Sequence, residues 1–83
     1  MVQHWSPMSQ VMRAITPGEW FVFDDGKKIA VIRELKLGRR KETMYRVVTY
    51  AEASADRVLI GYFPHIDMAA EVTWREYLKS KRR

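Results

Sequence analysis

The sequence contains no cysteine, which excludes disulfides and thiolate metal sites and fits a reducing compartment. It has two histidines, His4 and His65, and their isolation makes no metal-ligand spacing. No metal or other cofactor is expected. Apolar runs are short, none approaching the ~20 residues that a membrane span needs. Residues 1 to 15 mix Gln3, His4, Ser6, Ser9 and Arg13 among their apolar neighbours, unlike a signal peptide. The expectation is an intracellular, cytoplasmic chain with no membrane partner. Glycine is scarce, four residues in all, and there is no Gly-rich phosphate loop, nucleophile elbow or His-Glu metalloprotease spacing. Asp24-Asp25 stands beside Gly26, where turn chemistry accounts for acidic residues. No catalytic residue is assigned, and a non-catalytic role is expected.

What is present is apolar and basic. At 83 residues, 47% of them hydrophobic, the chain has room for one core and little for a deep cavity beside it. The net charge is +5, unevenly spread. Residues 1 to 26 carry one basic residue against three acidic, a net of −2. Residues 27 to 83 carry 14 basic against seven acidic, a net of +7. Such an asymmetric field attracts polyanions.

Ser6-Pro7 reads as a helix start, and Met8, Val11, Met12 and Ile15 follow at helical spacing. A short helix over about residues 7 to 15, ended by Thr16-Pro17-Gly18, is predicted. Glu19 to Asp24 and Lys28 to Leu37, joined by Asp24-Asp25-Gly26-Lys27, predict a β-hairpin. In the second of these strands Ile29, Val31, Leu35 and Leu37 share one face. Thr43 to Tyr50 is a third strand, with Tyr45, Val47 and Thr49 on one face and Met44, Arg46, Val48 and Tyr50 on the other. Arg57 to Phe63 is a fourth, with Gly61 marking a bulge or a close contact with a helix. Beyond Pro64 a helix from about His65 to Lys79 carries Ile66, Ala69, Ala70, Thr73, Trp74 and Tyr77 on one side. The fold class is therefore α+β: a four-stranded antiparallel meander with the C-terminal helix on one face and a short N-terminal helix, in the order α-β-β-β-β-α. Residues 1–79 form the domain and residues 80–83 a basic tail.

The candidate binding residues are basic. Lys36, Arg39, Arg40 and Lys41 cluster at one strand connection, Arg33 and Arg46 lie in mid-strand, and Lys79, Lys81, Arg82 and Arg83 end the chain. Lysines and arginines so placed neutralise phosphates, and a strand arginine stacks on bases or binds their edges. The plainer reading is a solvated loop and tail, with Arg46 pairing across strands to Glu34. Trp20, Tyr45 and Tyr50 are candidate stacking platforms or partner contacts, although aromatics in so small a domain are mostly core.

Gly61-Tyr62-Phe63, followed by a helix carrying Ala69-Ala70, resembles the end of an AP2-type DNA-binding domain and the similar arm-binding domains of phage-type integrases. The resemblance covers about residues 57 to 78. It implies a three-stranded sheet packed on a helix, and DNA read by arginines and tryptophans of the strands, for which Arg33 and Arg46 are the equivalents here. The N-terminal helix and the fourth strand depart from that pattern. The element order is also similar to that of double-stranded-RNA-binding domains, but those open their second helix with lysines where this chain has Asp67. Two functions follow as expectations: a small DNA-binding or other nucleic-acid-binding domain, or a phage- or mobile-element-type inhibitor or adaptor that docks on an acidic protein. A homodimer is compatible with either.

Overall fold

A computed structural model describes residues 12–81. It has strands β1 (Met12–Thr16), β2 (Glu19–Asp24), β3 (Lys27–Leu37), β4 (Glu42–Thr49) and β5 (Leu59–Phe63), followed by helix α1 (Ile66–Lys81). All neighbouring pairs are antiparallel and the sheet order is the chain order. The α+β meander with a C-terminal helix is as the sequence predicts. The strand count is not: the described residues hold five strands, and the part of the predicted N-terminal helix that falls among them is strand. Its residues 7 to 11 lie outside the described residues, and the rest, from Met12, form β1.

Turn chemistry explains that correction. Thr16-Pro17-Gly18 reads as a helix stop, but proline followed by a glycine at φ 82° equally makes a tight reversal between two strands. Here it turns β1 back onto β2, pairing Met12 with Val22 and Ala14 with Trp20. Met12 becomes buried in the core, an outcome a lone short helix would not secure. The next reversal, Asp25-Gly26, has both residues at positive φ, 52° and 77°, as a two-residue hairpin of type I′ demands.

Three register shifts shape the sheet, and each leaves an isoleucine as the extra residue: Ile15 in β1, Ile29 in β3 and Ile60 in β5. A bulge re-aims side chains. Ile29 and Ile60 thereby pack against the core, so Ile29 leaves the face it was predicted to share with Val31 and Leu35. Among the described residues β1 and β5 are the edge strands, and the bulges there hinder pairing with a further strand.

One side of the sheet is the core side. Val22, Ala30, Ile32 and Val47 are fully buried there, together with Ala69 and Ala70 of α1. Burial of each valine- or isoleucine-sized side chain contributes about 1.5–3 kcal/mol. The two alanines keep the helix close to the sheet, where α1 packs on β3, β4 and β5. Thr73 is buried as well, and its hydroxyl donates to the Ala69 carbonyl at 2.6 Å. Farther along, the Tyr77 hydroxyl donates to the Asp24 carboxylate at 2.6 Å, tying the helix to the end of β2. Gly61 stands beside the β5 bulge, one of the two places predicted for it; a Cβ there would stand 3.0 Å from the Phe63 ring of its own strand, not from the helix.

Candidate nucleic-acid interface

Among the described residues, the other side of the sheet is not covered by a helix. Directly opposed residues share a face, and the register sets two rows across this one. The first runs Arg13, Phe21, Val31, Val48, Leu59, and the second Glu19, Arg33, Arg46, Tyr62. Arg33 and Arg46 are direct partners on adjacent strands. Cα atoms so opposed lie about 4.5–5.5 Å apart. Glu34, predicted as a cross-strand mate for Arg46, is instead opposite Tyr45 on the core side and pairs with Lys36 at 3.6 Å. Among the described residues the remaining ion pairs are Arg75–Glu71 and Lys79–Glu76, both along α1. None reaches Arg33, Arg46 or Arg57.

A hollow of about 210 Å³ opens beside the two arginines. Val31 and Val48, both buried, form its apolar floor, and Glu19 and Ser54 stand at its sides. Arg57 completes the wall with Arg33 and Arg46. It comes from the β4–β5 connection, which is firmly held. The Thr49 amide donates to the Val58 carbonyl and the Val58 amide to Thr49 Oγ1, both at 2.8 Å. Arg57 Nε donates to the Ala51 carbonyl at 2.9 Å, and its guanidinium lies 4.9 Å from the Tyr50 ring centre. Two restraints on one side chain fix where its charge stands.

Next to the hollow is an aromatic cluster. Phe21 meets both Phe23 and Tyr50 edge to face, with centroids 6.0 Å apart in each pair. Lys28 Nζ lies 4.6 Å from the Phe21 ring centre and 5.3 Å from that of Tyr50. These rings hold cations against the uncovered face.

The predicted site residues are thus separated. Arg33, Arg46 and Tyr50 come together on the uncovered face. Trp20 and Tyr45 pack against the core on the other side, 6.1 Å apart by ring centroids. Lys36 lies on that side too, with its ammonium on Glu34 and on the Thr43 hydroxyl. Arg39, Arg40 and Lys41 are exposed at the β3–β4 turn, which Gly38 and Lys41 close at φ 76° and 55°. Five residues along a strand place that turn roughly 17 Å from Arg33. Lys79 pairs with Glu76 at 3.3 Å, Lys81 ends α1, and Arg82 and Arg83 lie outside the described residues. Sequence reasoning missed Phe21, Lys28, Ser54 and Arg57. Phe21 was findable, because alternation sets it opposite Trp20 and Val22; Arg57 was not, since its place depends on how a loop folds back.

Among the described residues no group of three or more histidine, aspartate or glutamate side chains is placed to hold a metal. No helix there is long and apolar enough to cross a membrane. The chain matches no family model, and no curated protein or solved structure resembles it closely enough to be a match.

Proposed function

We propose that this chain is a non-catalytic nucleic-acid-binding domain, with DNA the foremost ligand, that uses the face of its sheet opposite α1. The observation that carries the reading is the Arg33–Arg46 pair. Like charges directly opposed on neighbouring strands are destabilising, and no carboxylate among the described residues forms an ion pair with either. Glu19, opposite Arg33, offsets one of the charges, and a polyanion laid across the face supplies the rest. Guanidinium groups suit that ligand because their planar donors fit phosphate oxygens and base edges alike. Arg13, Lys28 and Arg57 add charge to the same face, and the exposed Arg39-Arg40-Lys41 turn extends the basic surface along the strand direction. The resemblance of residues 57 to 78 to AP2-type domains points the same way.

Fluorescence anisotropy with labelled duplex DNA, single-stranded DNA and RNA, at about 50 and 200 mM salt, tests the reading. Binding that survives the higher salt with one substrate preferred is expected. Binding that ignores substrate and vanishes with salt would mean only that the chain is basic. The double change Arg39→Ala with Arg40→Ala is expected to weaken binding about uniformly across sequences and to flatten its salt dependence by about one unit of slope per lost phosphate contact.

A second reading rests on a different feature. Val58, just before β5, and Leu59 and Tyr62 within it are exposed, at 63%, 49% and 45%, in a stretch with no charge between Arg57 and His65. An uncharged apolar edge suits a protein partner. Under this alternative an aromatic or aliphatic change such as Tyr62→Ala dominates the binding energy, because interface hot spots are buried anchors.

A further inference from the structure

We infer that the hollow between Arg33, Arg46 and Arg57 seats a phosphomonoester, the terminal phosphate of a nucleic-acid strand. This rests on the nucleic-acid reading above and names the group that the face distinguishes.

The first argument is charge. Three guanidiniums and the Glu19 carboxylate meet at the hollow, a local net of +2. An internal phosphodiester carries one negative charge, whereas a phosphomonoester carries about 1.5 to 2 at neutral pH. The dianion matches the site and the monoanion leaves it under-neutralised. The second argument is shape. The floor is set below the rim by Val31 and Val48, each 7% exposed. A group reaching that floor has to project from its own chain. A terminal phosphate does so, while an internal diester is flanked by a sugar on each side. The third is preorganisation. Arg57 is already fixed by the Ala51 carbonyl and the Tyr50 ring, and Arg33 and Arg46 stand on strands in the middle of the sheet. For Arg57, little side-chain freedom is lost on binding. The Ser54 hydroxyl, which also lines the hollow, is an additional donor.

The test compares one oligonucleotide sequence with a 5′-phosphate, a 3′-phosphate, or hydroxyls at both ends, by fluorescence anisotropy on the full chain. One phosphorylated form is expected to bind about tenfold tighter than the hydroxyl form, the scale of a charge-assisted contact. The ratio is expected to grow as pH rises from about 5 to 7.5, because the second ionisation of a phosphomonoester lies near pH 6. Arg33→Gln and Arg46→Gln each collapse the ratio towards one. Arg39→Gln lowers all affinities together and leaves the ratio alone, and thermal melts show that each variant is folded. Equal affinities for the three forms overturn the terminal-phosphate seat while leaving the nucleic-acid reading in place. No binding by any form overturns both.

Discussion

Arg33 and Arg46 show how a single pairing ties stability to binding. Facing each other across β3 and β4, they oppose the fold by a few tenths to about 1 kcal/mol. Arg46→Gln is therefore expected to keep or slightly raise the melting temperature while lowering affinity for nucleic acid, a divergence that calorimetry and anisotropy on the same sample would reveal. A fall in both would make Arg46 a structural residue. Gly61 is the opposite case, a residue with no ligand to touch. Its missing Cβ leaves room for the Phe63 ring, which would otherwise lie 3.0 Å away. Gly61→Val forces that ring off its seat on the core and is expected to cost about 1–3 kcal/mol of stability, read by urea denaturation, with the uncovered face unchanged.

Among the described elements, β1 is held more lightly than the central strands, since its one strand partner is β2 and α1 packs chiefly on β3, β4 and β5. Its reversal depends on Gly18 at φ 82°, whose carbonyl also accepts from the Glu34 amide at 2.8 Å. Gly18→Ala is expected to cost about 1 kcal/mol or more, with faster amide exchange at residues 12–16 than in β3 or β4. The central strands and α1 were legible in the sequence because alternation, an Asp-Gly reversal and a 3.6-residue apolar stripe each had one reading. β1 was not, because Met8, Val11, Met12 and Ile15 suit a helix by spacing, and only the partner strand decides between the two. The hollow was half legible. Alternation sets Arg46 with Val48 and Tyr50, whereas the meeting of Arg33 with Arg46 needs the register, and Arg57 needs the loop. The bulges at Ile29 and Ile60 were hidden too, since an extra residue leaves no mark on composition.

For the whole molecule, the basic groups are strung along the strands rather than gathered at one point. Lys27 and Lys28 begin β3 and Arg39 to Lys41 follow its end. Eleven residues of strand span roughly 36 Å at about 3.3 Å each. A ligand touching both ends covers on the order of ten base pairs at about 3.4 Å apiece. Affinity is accordingly expected to climb with duplex length up to about that size, then rise only as the number of overlapping positions does. Anisotropy with duplexes of about 6, 10 and 16 base pairs measures this; equal affinity at the shortest length would confine the contact to the middle of the sheet.

The strict chain order of the strands also bears on how the protein is made. Each strand pairs with the one synthesised just before it, so the sheet can be laid down in sequence as the chain leaves the ribosome, with short loop closures and a fast local search. The helix comes last, yet it covers Ile32 and Val47. Until those 16 residues have emerged, about one to three seconds at ordinary elongation rates, the core side of the nascent sheet lacks the helix that covers it. That interval is when the chain is most open to chaperones and to aggregation, and a stall between Pro64 and Lys81 would prolong it.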